Sequence, residues 1–436
     1  MIRSMLFSAL LLAVASHKVA AAIPQDILFI QADDLGWSDL GCYGNAHVRT
    51  PAIDHLAATG MRFTQAYAGA PVCTPSRAAT ITGLHAARLH CTGQASYRGD
   101  DSPSRVFASL DFKTHFPAGT PTLARTLHAS GYDTIILGKW GFDDNPTDHG
   151  FSEIFSGPDR VLMERTVELL SHTAQRPRLI YLNFSRPHIP LRPDPALLAK
   201  YENAADNVSR RESNPAYAAV IEEIDGDVGR ILDALDRKSA AARTLVIFTS
   251  DNGGYLGTEE ETITSNAPLR EGKASLYEGG VRVPLIMRFP GMIAPGSLCT
   301  APVHAVEWHA TIAELAGLGI PPGLDGGSFA GLLQGGDHGT RPAMFWHFPH
   351  YRRTRPGIAG SPSSSMREGD WKLMHFYEDD HVELYDLASD PSETHDLASR
   401  FPMRAAALRA RLDSWRTQVG AQPPVRKSRG TLPMDR

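Results

Sequence analysis

The chain has 436 residues, of which 42% are hydrophobic and 21% are charged, and this balance excludes a disordered or fibrous protein. Lys and Arg number 43 against 48 Asp and Glu, giving a formal net charge of −5, so charge gives no reason to expect a nucleic acid partner. The four cysteines are too few for a disulfide scaffold in a chain of this length; they are Cys42, Cys73, Cys91 and Cys299.

The N-terminal segment has the features of an export signal. Arg3 lies in a short basic region, an apolar run covers 5–15, and small residues at 20–22 come before Ile23. This pattern predicts a signal peptide over 1–22 and an exported protein, periplasmic or secreted. The apolar run is shorter than the roughly 20 residues needed to cross a bilayer, and no later stretch reaches that length, so no stable membrane span is predicted.

Short apolar runs rich in Ile, Leu, Val and Phe predict buried parallel strands. They cover 27–31, 134–137, 179–184 and 244–249. The clearest of the helices predicted between them covers 217–235, where apolar residues recur at helical spacing. The alternation predicts an α/β fold in which a mostly parallel sheet is sandwiched by helices, forming a domain over 23–336.

After about Gly336 the pattern changes to that of a smaller α+β domain, which is predicted over 337–425. A tail is predicted over 426–436. The predicted elements of the smaller domain are two short antiparallel strands, the acidic turn that joins them and a last helix, at 371–377, 381–387, 378–380 and 403–415.

Polar side chains follow each of the four predicted strands. In chain order they are Asp33 and Asp34, then Lys139, then His188, then Asp251 and Asn252. Because ligands bind beyond the carboxyl ends of parallel strands, four such clusters together predict a site. The carboxylate and amide oxygens suit Ca²⁺, which accepts roughly six to eight oxygen ligands and tolerates irregular geometry better than Mg²⁺. A second interpretation stays open here, in which Asp33 caps a helix and 251–254 is a turn.

The segment 71–83 contains the pentapeptide Cys73-Thr74-Pro75-Ser76-Arg77. It resembles the signature of the formylglycine-dependent (type I) sulfatases of the alkaline-phosphatase superfamily, in which a Cys-X-Pro-Ser-Arg core directs oxidation of the cysteine to an aldehyde. Pro75 suits an early helix position, which places Cys73 where a helix begins, facing unpaired N–H groups and the positive end of the helix dipole. The alternative is a buried structural cysteine at a helix start.

Further segments similar to sulfatase family blocks follow in family order across most of the chain. They cover 31–36, 131–140, 186–190, 249–253, 269–273, 369–373 and 383–387. The resemblance implies one Ca²⁺ held by five side chains: Asp33, Asp34, Asp251, Asn252 and the modified Cys73. It implies four more residues around the sulfate and the nucleophile: Arg77, Lys139, His188 and Lys273. It also implies a maturation enzyme that forms the formylglycine.

The resemblance further implies hydrolysis of a sulfate ester by a hydrated aldehyde at position 73. One of its two hydroxyls attacks sulfur, and the other then loses its proton, expels sulfate and restores the aldehyde. In that scheme Lys139 and Lys273 hold the sulfate oxygens, and His188 is the acid for the departing alcohol. This chain departs from the family pattern at one position, because many relatives have a histidine where Gly141 stands. That histidine contacts the formylglycine hydroxyls, and His149 is too loosely placed to be assigned its role.

Two other functions are compatible with the sequence. One is a phosphate or phosphonate monoesterase of the same superfamily, and the other is an inactive glycan-binding relative, which Gly141 would suit. A two-zinc phosphatase is disfavoured, because the matched segments lack its Ser or Thr nucleophile and its extra histidine ligands. The expected substrate is a sulfated small molecule or glycan. The aromatic and basic run 345–353 either lines a sugar subsite or makes an inter-domain contact.

Overall fold

The computed structural model describes residues 23–94, 105–117, 119–204, 214–237, 240–258, 261–336, 343–351 and 361–427. Three predictions fall wholly or partly outside these residues: the signal peptide at 1–22, most of the tail at 426–436, and Arg352 and Arg353 of the aromatic and basic run. The predicted division after Gly336 borders a stretch outside the description, so the domain boundaries stay a prediction.

A large mixed sheet forms the centre of the fold. Within the described residues its nine strands are β1 (Asp26–Ala32), β2 (Met61–Tyr67), β3 (Asp133–Gly138), β4 (Glu153–Phe155), β5 (Arg178–Asn183), β6 (Thr244–Ser250), β7 (Arg282–Arg288), β8 (Ser297–Cys299) and β9 (Val303–His304). Their order is β4-β3-β5-β1-β6-β7-β2-β8, with β9 also paired to β2. The first five strands in this order are parallel, and β7 is antiparallel to both of its neighbours. The prediction of a mostly parallel sheet is confirmed.

Helices cover both faces of this sheet. In chain order, the helices of the described residues are α1 (Pro51–Thr59), α2 (Cys73–Thr82), α3 (Leu123–Ala129), α4 (Asp159–Ser171), α5 (Pro195–Ala204), α6 (Pro215–Arg237), α7 (Glu278–Val281), α8 (Trp308–Leu315), α9 (Ala330–Leu333) and α10 (Pro402–Val419). Ile27 and Phe29 of β1 share a core with α2, α3 and α8, whereas Leu28 and Ile30 share one with α1, α4 and α6. Both faces are buried, which explains the unbroken apolar runs in the sequence.

A smaller antiparallel sheet follows in the chain. Its strands, in spatial order, are β10 (Met344–Phe348), β11 (Ser363–Glu368), β12 (Trp371–Phe376) and β13 (Val382–Asp386). Leu408 and Leu412 of α10 pack on one face of this sheet, in a core with Leu373 and Leu384. The two strands and the last helix predicted from the sequence are confirmed, and the structure adds β10 and β11.

The other face of the small sheet packs against the large sheet and its loops. Trp346 shares a core with Tyr67 and Tyr277, and its Nε1 donates a hydrogen bond to the Ala68 carbonyl oxygen at 2.8 Å. Residues 346–351 are buried throughout. For this described part of the aromatic run, the structure favours the contact between the two sheets over the sugar subsite.

Two further features bear on the expectations from composition. The four cysteines, all within the described residues, form no disulfide: Cys42, Cys73, Cys91 and Cys299. Among the helices of the described residues, none combines the length and the apolar character that a membrane crossing needs.

Candidate active site

The carboxyl ends of neighbouring parallel strands bring the predicted polar clusters together. Gln31 near the end of β1 lies opposite Asn183 of β5 and Thr249 of β6. Gly138, the last residue of β3, lies opposite Asn183 as well. Because these four strands end at the same level, the residues that follow them emerge at one edge of the sheet, as the sequence predicts.

Cys73 is the first residue of α2 and is fully buried. The residue before it, Val72, is extended and provides no side-chain cap for the helix. Cys73 Sγ donates a hydrogen bond to Asp33 Oδ1 at 3.2 Å and lies 3.2 Å from Lys273 Nζ. Burial, with the charges of Asp251 and Asp33, raises the pKa of the Cys73 thiol. The unmodified thiol therefore stays protonated at neutral pH and is a poor nucleophile.

Two lysines face the adjacent carboxylates Asp33 and Asp34. Lys139 Nζ lies 2.5 Å from Asp33 Oδ2, and Lys273 Nζ lies 2.6 Å from Asp34 Oδ1. Burial would lower the pKa of Lys139, but the charge of Asp33 raises it above its ordinary value, so the side chain stays cationic. The Lys139 side chain is 27% exposed and that of Lys273 only 1%, so the site is open to solvent on the Lys139 side.

Arg77 is fully buried on α2 and faces two of the carboxylates. Its Nε donates to Asp251 Oδ2 at 2.9 Å, and its Nη2 lies 3.8 Å from Asp33 Oδ2. Burial would raise the pKa of Asp33, but the charges of Lys139 and Arg77 lower it below its ordinary range. Burial and the nearby Asp33 charge raise the pKa of Asp251 to about 6. The carboxylates thus repel each other, and a further cation between them would relieve that repulsion.

Four side chains form a candidate metal centre. Asp33, Asp34, Cys73 and His188 each place a potential ligand atom within 4.8 Å of the others. Asn252 adds an amide group, because its Nδ2 donates to Asp34 Oδ1 at 2.7 Å while its Oδ1 is buried without a hydrogen-bond partner among the described residues. Buried polar atoms are normally paired, so this oxygen fits a ligand that the polypeptide does not supply. Oxygen donors of this kind suit a hard cation.

Three of the predicted metal ligands, Asp33, Asp34 and Cys73, lie in this cluster. Asp251 lies beside it, but its Oδ1 accepts a hydrogen bond from the Asp34 N–H at 3.1 Å and its Oδ2 faces Arg77. A metal contact from Asp251 therefore stays a prediction, as does one from Asn252.

His188 lies on the loop after β5, at the solvent side of the site. Its Nε2 lies 3.6 Å from Asp34 Oδ2, and its side chain is 28% exposed. His188 Nδ1 lies 2.6 Å from the Ile189 carbonyl oxygen, so Nδ1 carries a proton and Nε2 is the nitrogen that faces the site. Arg186 anchors this loop through an ion pair with Asp159 at 2.8 Å. The sequence predicts His188 beside the sulfate but not its place in the metal cluster.

Tyr217 and Asp39 hold the Asp34 loop and are absent from the sequence prediction. Asp34 has a φ of 70°, in the left-handed region that residues with a Cβ rarely adopt. Tyr217 Oη donates to the Asp34 carbonyl oxygen at 3.2 Å and to Asp39 Oδ2 at 2.6 Å. In the sequence Tyr217 is only the first residue of an apolar helical stripe. The local sequence gives one signal of this support, which is Asp39, a second aspartate shortly after Asp34 that can accept a hydrogen bond.

Gly141 lies beside the helix that carries the nucleophile. Its φ is 87°, and a Cβ added to it would lie 3.5 Å from Arg77 Cδ. Thr74 Oγ1 donates to the Gly141 carbonyl oxygen at 3.0 Å. His149 pairs instead with Asp144, with Nε2 2.8 Å from Oδ2, among aromatic side chains. The structure therefore does not place His149 where the missing family histidine would act.

Comparisons with known proteins indicate the family of this chain. Residues 25–318 match the Sulfatase family, and residues 272–418 match the family described as N-sulphoglucosamine sulphohydrolase, C-terminal. A sulfatase of Formosa agariphila is 29% identical over 93% of this chain and 91% of that protein. The N-acetylgalactosamine-6-sulfatase of Sus scrofa is 30% identical over 88% of this chain and 82% of that protein. The crystal structure of Ps i-CgsB in complex with k-i-k-neocarrahexaose has a TM-score of 0.77 at 24% identity, covering 93% of this chain and 95% of that chain.

The fold and these relatives define a hydrolase that cleaves sulfuric esters. The chain belongs to the sulfatase family, because the family match covers more than half of its length. The family resemblance and the fold class predicted from the sequence are both confirmed.

Proposed function

We propose that this sulfatase hydrolyses the sulfate ester of a carbohydrate by means of a formylglycine formed from Cys73 and one bound Ca²⁺. The position of Cys73 Sγ supports this most directly, since it lies 3.2 Å from both Asp33 Oδ1 and Lys273 Nζ at the start of α2. A nucleophile at this position has carboxylates for a metal on one side and an ammonium group for the sulfate on the other.

The proposal includes a maturation enzyme as a partner. The segment Cys73-Thr74-Pro75-Ser76-Arg77 matches the sequence that directs formylglycine formation in the family. When hydrated, a formylglycine supplies two hydroxyls on one carbon, the first to attack sulfur and the second to release sulfate. The protonated thiol of unmodified Cys73 offers neither of these groups.

Ca²⁺ is proposed to be held by Asp33, Asp34 and residue 73, with Asp251 and Asn252 completing the set. When bound, it supplies positive charge that polarises the nucleophile and the sulfate oxygens. The unpaired Asn252 Oδ1 and the crowded carboxylates support a cation here. Oxygen ligands favour Ca²⁺ over Zn²⁺, which prefers nitrogen and sulfur donors.

The protein's own charges are balanced before a metal or substrate binds. Three carboxylates face three cationic side chains: Asp33, Asp34 and Asp251 against Lys139, Lys273 and Arg77. A divalent cation therefore leaves a net positive site, which attracts a sulfate monoester anion.

Each nearby side chain has a proposed role. Lys139 and Lys273 bind sulfate oxygens, and Arg77 holds the start of α2 through its pair with Asp251. His188 donates a proton from Nε2 to the leaving alcohol oxygen, a role typically worth roughly 10²–10⁴-fold in rate. The 28% exposure of its side chain supports this role, because the alcohol portion of a substrate would extend toward the solvent side of the site.

A carbohydrate substrate and export complete the proposal. The relative from Sus scrofa is an N-acetylgalactosamine-6-sulfatase, and the structure of Ps i-CgsB holds k-i-k-neocarrahexaose. Export to the periplasm or the medium rests on the signal-like segment 1–22.

The decisive experiment is co-expression with a formylglycine-generating enzyme, mass spectrometry of the peptide that contains Cys73, and assay of the Ca²⁺-loaded protein on a panel of sulfated sugars. We expect the aldehyde at position 73 and turnover of at least one sulfated sugar. Faster turnover of a matched phosphate or phosphonate ester would identify a monoesterase of the same superfamily. Binding of a sulfated sugar without turnover by fully modified protein would identify an inactive glycan-binding relative.

A further inference from the structure

Lys273 lies on a loop whose backbone is held in an unfavourable conformation. Glu271 and Ala274, on either side of it, have φ values of 62° and 75°, in the left-handed region. For a residue with a Cβ this conformation costs roughly 1–2 kcal/mol. It persists only where the surrounding structure imposes it. The contacts of this loop therefore determine where the Lys273 ammonium lies.

One side of the loop contacts the active site. The Lys273 N–H donates to the Gly254 carbonyl oxygen at 3.0 Å, and the Ala274 N–H donates to the Pro71 carbonyl oxygen at 2.7 Å. Lys273 Nζ then reaches Cys73 Sγ at 3.2 Å. A small shift of this backbone would move the ammonium away from the nucleophile.

The other side of the loop ends in a buried charge cluster. Glu278, the first residue of α7, faces Lys372 of β12, whose Nζ lies 2.9 Å from Glu278 Oε1 and 2.9 Å from Glu393 Oε1. Glu393 Oε2 accepts the Glu278 backbone N–H at 2.6 Å. All three side chains are 0% exposed, so water does not screen these interactions.

Arg270 attaches the beginning of the same loop to the small sheet. Its guanidinium lies 3.9 Å from the centre of the Tyr277 ring. Arg270 Nη1 donates to Tyr385 Oη of β13 at 3.0 Å and to the Glu393 carbonyl oxygen at 2.9 Å. Both ends of 270–278 are thus fixed to the C-terminal part of the chain, and Glu393 contacts both.

We propose that the cluster of Glu278, Lys372 and Glu393 positions Lys273 for the reaction, so that the small C-terminal sheet contributes to turnover as well as to stability. This role depends on the proposed function, in which Lys273 binds the sulfate. A strained loop relaxes when its anchor is lost, and a misplacement of about 1 Å can cost on the order of 10²-fold in rate. The three cluster residues act through Lys273 and are positioning residues.

Glu393→Gln tests this role with the smallest change, because it keeps the side-chain shape, replaces the carboxyl group that faces Lys372 with a neutral amide and leaves the pair of Lys372 and Glu278. The matched control is Asp26→Asn, which removes one charge from the buried pair of Asp26 and Arg178 at 2.8 Å, at the opposite ends of the strands from the site. Melting temperature, kcat and KM on a chromogenic aryl sulfate, and hydrogen exchange of 270–278 are measured at equal formylglycine and Ca²⁺ content. We expect both variants to melt earlier, but only Glu393→Gln to exchange faster in the loop and to lose roughly tenfold or more in kcat.

A double-mutant cycle with Lys273→Ala separates positioning from general loosening. If the cluster acts through Lys273, Glu393→Gln changes kcat by less than about twofold in the Lys273→Ala background. An unchanged kcat in Glu393→Gln alone, or the same loss in both backgrounds, overturns the positioning role and leaves the proposed function standing. An undiminished kcat in Lys273→Ala overturns the role of Lys273 itself and this inference with it.

A second variant covers the case in which Glu393→Gln does not fold. Replacing Lys372 and Glu393 together by Met removes one charge of each sign, which buried pairs often tolerate. Glu278 then keeps its hydrogen bond from Tyr67 Oη at 2.6 Å. In the same cycle with Lys273→Ala, the double replacement is expected to lower kcat roughly tenfold or more when Lys273 is present and by less than about twofold when it is absent. Additive effects would overturn the role.

Discussion

The Lys273 ammonium lies between the Asp34 carboxylate, at 2.6 Å, and the Cys73 sulfur, at 3.2 Å. It therefore joins the proposed metal side of the site to the nucleophile side. A group on residue 73 that carries negative charge would be stabilised from both sides, by Lys273 and by a cation among the carboxylates. We therefore expect the identity of the group at position 73 to determine whether the enzyme turns over.

Cys73→Ser is expected to abolish steady-state turnover. The serine hydroxyl occupies the place of Sγ near Asp33 and Lys273 and attacks sulfur once, but it has no second hydroxyl with which to expel sulfate. Intact-protein mass spectrometry after incubation with an aryl sulfate should show sulfate retained on Ser at position 73. Full activity in wild-type protein that carries only unmodified cysteine would refute the formylglycine mechanism.

Removal of metal by a chelator is expected to abolish activity, and Ca²⁺ should restore it better than Zn²⁺. Saturating Ca²⁺ should also raise the melting temperature, since a ligand at 100 times its Kd stabilises by about 2.7 kcal/mol. Asp251→Ala and Asn252→Ala should each weaken this thermal shift by removing an oxygen donor.

Asp325→Ala is the control for the metal, because it removes a carboxylate paired with Arg88 at 2.6 Å, outside the metal cluster. It should leave the Ca²⁺-dependent thermal shift unchanged. A normal shift in Asp251→Ala, or full recovery with Zn²⁺ alone, would show that the ligand assignment is wrong.

The strands that lead to the site could be predicted, because each is buried on both faces and so forms an unbroken apolar run. β7 could not be predicted in this way, because Pro284 in its middle argues against a central strand. The register of β2 against β7 shifts between Phe63 and Ala66, which pair with Leu285 and Val283. Pro284 lies opposite this irregularity, where its missing N–H breaks no ladder hydrogen bond.

The site residues that the sequence predicts are those in family segments or directly after strands. The supporting contacts depend on pairs far apart in the chain. Tyr217 and Asp39 are separated by 178 positions, and Lys372 and Glu278 by 94. From a single sequence, a buried lysine on a strand cannot be distinguished from an exposed one, because its burial depends on where its ion-pair partner lies in the fold. The local sequence pattern therefore predicts which residues form the site but not which distant residues support them.

Gly141→His tests whether the imidazole found in many relatives can act here. With a φ of 87° at this position, any side chain costs roughly 1–2 kcal/mol in stability, so Gly141→Ala is the matched control. Both variants should melt at similar temperatures, below the wild type. We expect Gly141→His to have the higher kcat of the two if sulfate release limits the rate. Equal kcat values would mean that another base already serves, or that the ring does not reach residue 73.

His188→Ala tests the leaving-group acid. Without the acid, a sugar alcohol departs as a poor leaving group, so kcat on alkyl sugar sulfates should fall by roughly 10²–10⁴-fold. An activated aryl sulfate, whose phenolate departs unaided, should lose far less. Lys139→Met is the contrast, because the sulfate group that Lys139 binds is common to both substrates. It should lower kcat/KM by similar factors on both.

The place of His188 in the metal cluster makes a second role testable with the same variant, since its Nε2 lies 3.6 Å from Asp34 Oδ2. If His188 is a metal ligand, His188→Ala should require more Ca²⁺ for half-maximal activity and should lose activity equally on both substrate types. If it is the acid, the Ca²⁺ requirement should stay the same while the loss depends on the leaving group. Because Nδ1 donates to the Ile189 carbonyl oxygen, Nε2 is the atom that serves in either case, and it cannot bind the metal and carry a proton at once. An unchanged Ca²⁺ requirement with a loss confined to alkyl sulfates would therefore establish the acid role, and equal losses on both substrates would exclude it.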